Sequence, residues 1–346
     1  MNILDSKYFH YSGRILKTKD SAYLGFTNSK IEFYTQANES NNSIIQIIIE
    51  TKLNGDINNA RLKVLIDSKE YPNNLLILDK EQNTFSIPLP TDPNVHQVTI
   101  IKITEAGMSY AKIKDISILD GNIIPYPSEN DTRLKVEFIG DSITCGYGVY
   151  GEPDSEYNIS DEDGMVTYAA LTANALNLNA QYFSVSGFGM YIKYDGDLDG
   201  VIPKIYEHTN YFVDTDTLYN FEEFKPDLYV INLGTNDSGH LDNEINQRHF
   251  VESYVEFIKR LKNKSPNAKI LCMIGTLCTN VFSFIEEAVQ IAEKQGFTDL
   301  YTFELPYHDI ERDGIASGHP SLTTHQKDSI RLTEKIKQIF PQDFSK

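Results

Sequence analysis

Ser142 sits in the run Lys135-Val136-Glu137-Phe138-Ile139-Gly140-Asp141-Ser142-Ile143-Thr144, where an apolar strand enters a tight turn ahead of an expected helix. A hydroxyl at such a turn is a candidate nucleophile for acyl transfer. That chemistry also needs a base to take the serine proton and donors aimed at the charge that develops on the carbonyl oxygen. Each part has a candidate elsewhere in the chain. Gly318-His319-Pro320-Ser321 places His319 in a loop just before a C-terminal helix, where an imidazole is free to act as the base. Leu228-Tyr229-Val230-Ile231-Asn232-Leu233 runs into Gly234-Thr235-Asn236-Asp237, which puts the Asn236 carboxamide on a strand-end loop. Tyr182-Phe183-Ser184-Val185-Ser186-Gly187-Phe188-Gly189 offers Gly187, whose backbone N–H can approach a substrate closely.

Three neighbours compete for these roles. Cys145 follows the serine by three residues and reads as a small buried residue rather than a second nucleophile. Asp141 reads as a turn carboxylate that binds backbone N–H groups. His325 falls on the helix face marked by Leu322, Leu332 and Ile336, which makes it a packed histidine.

The elements that must hold these residues divide the chain in two. Residues 1–128 read as an antiparallel β-sandwich, jelly-roll-like, from short β-branched runs such as Ile44–Ile49, Leu62–Ile66, Phe85–Leu89, Val98–Ile103 and Ile113–Ile118. Asn54-Gly55 and Asp120-Gly121 are hairpin-type turn signals. Pro125-Tyr126-Pro127-Ser128-Glu129-Asn130-Asp131-Thr132 reads as a linker. Residues 133–346 alternate strands with amphipathic helices: strands near 134–139, 181–185, 227–233, 269–275 and 299–304, helices near 165–177, 244–263, 281–295 and 321–339. That pattern predicts a three-layer α/β/α domain with a parallel sheet. In a flavodoxin-like order 2-1-3-4-5 the first and third strands are neighbours at the switch point, which brings Ser142 and Asn236 together.

The four blocks, in this order, resemble those of the SGNH (GDSL-like) hydrolase superfamily, with Ser142, Gly187, Asn236 and His319 at the matching positions. The β-rich half placed ahead of them is similar to carbohydrate esterase family 2. So are Ser12-Gly13-Arg14, Ile101-Lys102-Ile103-Thr104-Glu105, the run Phe138–Gly148, and His319-Pro320-Ser321 with His325 beyond. The resemblance implies a serine esterase that removes acetyl groups from sugar hydroxyls. Ser142 would attack, His319 would serve as base, and the N–H groups of Ser142 and Gly187 with the Asn236 amide would form the oxyanion hole. No metal or organic cofactor is called for. Superfamily members usually carry an aspartate three residues before the histidine, and that position here is Ala316. Two ways of orienting His319 therefore stay open: Asp313, or a backbone carbonyl in a Ser-His dyad. Tryptophan, common beside the site in the family, is absent; of 21 tyrosines and 18 phenylalanines, Tyr147, Phe188 and Tyr191 are candidate sugar contacts.

Composition narrows the partners. With 49 acidic against 31 basic residues the formal charge is −18, which disfavours nucleic-acid backbones and anionic membranes. The three cysteines, Cys145, Cys272 and Cys278, cannot all pair and fit a reducing compartment. The N-terminal residues lack a signal-peptide pattern, which points to the cytoplasm, with secretion the alternative if a leader has been trimmed. The competing readings are a lipid esterase or thioesterase of the same superfamily, and a carbohydrate-binding protein without turnover. Oligomeric state is not encoded in any feature of the sequence.

Overall fold

The computed structural model describes residues 2–38, 43–55, 59–92, 94–127 and 131–344. Two compact units emerge: Met1–Asp131 with Thr209–Thr217, and Thr132–His208 with Leu218–Lys346. The boundary falls inside the expected linker, of which residues 128–130 lie outside the described residues. The hairpin His208–Asn210/Asp214–Leu218 was not expected, because its second strand, Asp-Thr-Asp-Thr-Leu, is polar and largely exposed and shows no apolar alternation.

The first unit is a two-sheet antiparallel sandwich. One sheet runs His10–Ser12, Lys30–Ala37, Val95–Lys102, Arg61–Ile66, Lys69–Ile77, with Gly121–Ile124 also beside Lys30–Ala37. The other runs Ile15–Lys17, Ala22–Leu24, Ala111–Leu119, Ile44–Glu50, Gln82–Pro88. Alternation drives the packing: Ile45, Ile47 and Ile49 point inward from one strand and meet a core that includes Ile31, Phe33, Leu62, Val64, Val98 and Ile100 from the facing sheet. Neither expected hairpin turn joins paired strands. Asn54-Gly55 and Asp120-Gly121 each lie where the chain leaves one sheet for the other, since Ile44–Glu50 and Ala111–Leu119 belong to one sheet and Arg61–Ile66 and Gly121–Ile124 to its partner.

The second unit is a flavodoxin-like α/β/α domain. Its parallel sheet has the order Asn179–Ser184, Lys135–Gly140, Leu228–Asn232, Lys269–Thr276, Leu300–Tyr307, which is 2-1-3-4-5 in chain order. All five residues of Leu228–Asn232 are buried, as a strand covered on both faces requires. The helices Tyr168–Ala175 and Leu322–Ile339 pack together, as do Glu244–Lys264 and Phe282–Lys294. The helix expected after Ser142 is a single turn, Ser142–Cys145, because Gly146 at φ +86° stops it. No helix among the described residues is long and apolar enough to cross a membrane.

Candidate active site

The sheet register delivers the site. Gly140 pairs with both Ser184 and Asn232, so three strands end side by side and their following loops meet above them. Asp141 then caps the short helix: its Oδ1 accepts the Ile143 N–H at 3.0 Å and its carbonyl accepts from Thr144 and Cys145. Ser142 is thereby placed at the first helical position, where its N–H has no acceptor within the helix.

The Ser142 hydroxyl lies 2.9 Å from Nε2 of His319. The other ring nitrogen, Nδ1, lies 3.2 Å from the carbonyl oxygen of Ser317. A carbonyl only accepts, so Nδ1 carries the proton and Nε2 is left to take one from serine. The Ser317 carbonyl is held in place by its own residue's other contacts: its N–H donates to Glu152 O at 3.0 Å, and its hydroxyl lies 2.9 Å from that of Ser155. Ser317 adopts φ +47°, a left-handed conformation that the flanking contacts maintain.

Asp313 is not at the ring. Its carboxylate is bound by Lys327 and by Nε of Arg312 at 3.2 Å, and these cations hold it below the usual carboxylate range. The helical turn Ile310–Asp313 directs that side chain to the last helix, while Ser321 takes the Asp313 carbonyl at 2.6 Å. The orienting group recorded at His319 is the Ser317 carbonyl.

Two candidate oxyanion donors are open. Among the described residues the N–H groups of Ser142 and Gly187 donate to no protein acceptor. Gly187 has φ +80°, and a Cβ there would lie 2.8 Å from the ring of Tyr194, so only glycine fits. Asn236 directs Nδ2 to Phe188 O at 3.0 Å and to Asp141 Oδ2 at 3.3 Å. Both partners are acceptors, which fixes the amide with its nitrogen toward the serine turn. Phe188 thus enters through its carbonyl, next to Gly187.

Asp237, beside Asn236, was not singled out in the sequence, yet its buried carboxylate organises the neighbouring loop. It accepts the N–H groups of Met190, Tyr191 and Ile192 at 2.8–2.9 Å. Burial still raises its pKa above the ordinary value, against these three bonds. Burial likewise lifts Asp141 to about 7, with the Asp237 charge adding to the effect and the Ile143 N–H opposing it. The second acid of Gly-Thr-Asn-Asp was the available signal.

Tyr191 turns its ring onto His249 of the Glu244–Lys264 helix, 5.4 Å between centroids, and makes no hydrogen bond or ring contact with Ser142 or His319. Tyr147 is at the centre: its ring lies 4.3 Å from that of His319 and 4.0 Å from that of Tyr157. Tyr147 thus packs against the base and against Tyr157 at once, while remaining partly exposed.

Burial pushes His319 below the ordinary histidine value, with the Ser317 carbonyl pulling the other way and His308 adding to the fall. The base is therefore neutral at physiological pH. His325 is buried, accepts the Tyr168 N–H on Nδ1 at 3.1 Å, and is pushed down to about 3. Cys145 is buried with Sγ 3.2 Å from the Ser184 hydroxyl. Among the described residues no group of three or more His, Cys, Asp or Glu is placed to hold a metal ion.

The model of the GDSL-like Lipase/Acylhydrolase family matches residues 138–326, a span that contains Ser142, Gly187, Asn236 and His319. Cellulase/esterase CelE of Acetivibrio thermocellus is 30% identical over 248 residues, covering 70% of this chain and 30% of that protein. An acetylxylan esterase / glucomannan deacetylase of Cellvibrio japonicus is 23% identical over 287 residues, 81% of this chain and 77% of that protein. The chain thus spans less than a third of the first relative and about three quarters of the second. Among solved structures, a family two carbohydrate esterase from Clostridium thermocellum in complex with cellohexaose superposes with a TM-score of 0.86 at 25% identity, covering 96% of this chain and 99% of that one. The acetyl xylan esterase Est2A from Butyrivibrio proteoclasticus has the same TM-score at 21% identity, over 99% of this chain and 97% of that one, and speaks to the fold alone. The chain belongs to the GDSL-like lipase/acylhydrolase family, and its fold is that of the family two carbohydrate esterases.

Proposed function

We propose that the protein is a serine esterase that removes O-acetyl groups from carbohydrate by way of an acetyl-enzyme. The observation that carries the chemistry is the line Ser142 Oγ, His319 Nε2, His319 Nδ1, Ser317 O, at 2.9 and 3.2 Å, beside two backbone N–H groups without protein partners. Neutral His319 takes the Ser142 proton on Nε2 as Oγ bonds to the acetyl carbon. The carbonyl oxygen becomes an oxyanion that accepts from Ser142 N–H, Gly187 N–H and the Asn236 amide, the last released from its 3.3 Å bond to Asp141. Collapse breaks the bond to the sugar oxygen, which leaves with the proton held on Nε2. Water then repeats the sequence on the acetyl-enzyme and releases acetate.

The carbohydrate substrate is supported by relatives described as an esterase, an acetylxylan esterase and a glucomannan deacetylase. Its test is acetate release from acetylated xylo- and glucomanno-oligosaccharides, set beside p-nitrophenyl esters of increasing acyl length. The proposal predicts acetate from at least one saccharide and falling activity beyond short acyl chains. Silence on every saccharide, with a preference for long acyl chains, would overturn it.

A further inference from the structure

Among the described residues no carboxylate is bonded to His319, whereas in a triad one stabilises the imidazolium formed when the base takes its proton. The Ser317 carbonyl fixes the tautomer but brings no charge. What lies against the flat of the ring is Tyr147, 4.3 Å between centroids with the planes tilted by 36°. Tyr147 also stacks on Tyr157 at 4.0 Å and 18°, and the Tyr157 hydroxyl donates to the buried side chain of Glu162. Tyr147 reaches this position because the chain turns back at Gly146, whose Cβ, if present, would collide with the Asp163 carbonyl. An aromatic face is electron-rich, and a cation within about 6 Å of its centroid is attracted to it, the more so away from water.

We propose that Tyr147, clamped by Tyr157 and Glu162, stabilises the His319 imidazolium in the reaction, the task an aspartate performs in a triad. Tyr147 acts directly on the base, and Tyr157 and Glu162 are positioning residues behind it. The Glu162 side chain accepts from the Tyr157 hydroxyl and so holds the Tyr157 ring against Tyr147. The other titratable groups acting on His319 are His308 after the fifth strand and His325 on the last helix; an imidazole is neutral or positive, so neither offers the missing negative charge. The inference rests on the esterase reading for its meaning in turnover, but not for its test.

The test is an NMR titration of ¹³C-labelled histidine in the whole protein, with the His319 signal assigned by its loss in His319→Gln. Tyr147→Leu removes the π face while keeping the ring dry, so the His319 pKa should fall by about half to one pH unit. Tyr147→Phe retains the face and should titrate like the parent. Glu162→Ala removes the acceptor that holds the Tyr157 ring and should shift His319 the same way by less, which covers the case in which Tyr147→Leu does not fold. In turnover of p-nitrophenyl acetate, which needs no sugar site, Tyr147→Leu should lower kcat by roughly 3- to 30-fold with KM little changed. An unchanged His319 titration in Tyr147→Leu, or a rise in KM alone, would overturn the proposal. Failure to cleave acetylated sugars would leave the titration result standing and count only against the esterase substrate.

Discussion

His319 takes its orientation from Ser317, two residues earlier in the chain, through an Nδ1 to carbonyl distance of 3.2 Å. The orienting group is therefore local, and its precision depends on whatever holds the Ser317 backbone at φ +47°. The loop residues Glu152 and Ser155 do this, one through its carbonyl and one through its hydroxyl.

Asp313→Asn should accordingly lower kcat/KM by less than about tenfold, because the imidazole keeps its tautomer. Neutralising a true triad carboxylate costs roughly 10⁴-fold. Steady-state kinetics on p-nitrophenyl acetate separates the two, and a loss beyond about a hundredfold in a folded variant would return Asp313 to the mechanism.

Asn236→Ala should reduce kcat by roughly 10²- to 10³-fold with a smaller effect on KM, as expected when an oxyanion donor is removed. A raised KM at constant kcat would make Asn236 a substrate binder instead.

Asp237→Asn tests the Gly187 arm of the same hole. Its carboxylate holds three successive N–H groups of the loop that follows Gly187, and an amide oxygen cannot accept all three equally. The expected loss in kcat is about tenfold or more, short of the loss for a whole donor. Kinetics unchanged from the parent would show that the loop holds its shape without the acid.

His325 gives a stability prediction with a definite sign. Its pKa in the folded protein is about 3 and its ordinary value is near 6.5, so the unfolded chain binds the extra proton between those limits. Stability from this group is present above about pH 6.5 and is lost as pH falls toward 3. In His325→Gln that loss disappears. Measured by urea unfolding, the destabilisation caused by the substitution should be smaller at pH 5 than at pH 7.5, by roughly 2 kcal/mol. A cost independent of pH would show that His325 is not held neutral.

Much of this was readable because the chemistry sits on regular elements. The strands ending at Gly140 and Asn232 carry the apolar runs Phe138-Ile139 and Leu228–Ile231, so their edges and the loops beyond them could be placed, and with them Ser142 and Asn236. His319 was readable because Ser321 caps the helix that follows. What was not legible depends on contacts distant in sequence. Ser317 is fixed by residues more than 150 positions away, and the Gly-Thr-Asn-Asp run that contains Asp237 does not say that its acid will bind the Met190–Ile192 backbone. The strand Lys30–Ala37 escaped notice because its inward residues, Ile31 and Phe33, alternate with Glu32 and Tyr34 without a β-branched run. That Tyr147 packs on His319 and Tyr157 was not legible, because an aromatic near a catalytic turn carries no mark of which rings it will meet.

The measurement that bears most directly on the central claim is the activity of Ser142→Ala on p-nitrophenyl acetate, with Cys145→Ala as its companion and thermal unfolding as the check on folding. With Oγ gone no acetyl-enzyme can form, and kcat should fall by roughly 10⁴-fold or more, while Cys145→Ala, which removes a buried thiol, should remain active. More than a few per cent of activity left in Ser142→Ala, or its loss in a folded Cys145→Ala, would contradict the assignment of Ser142 as nucleophile.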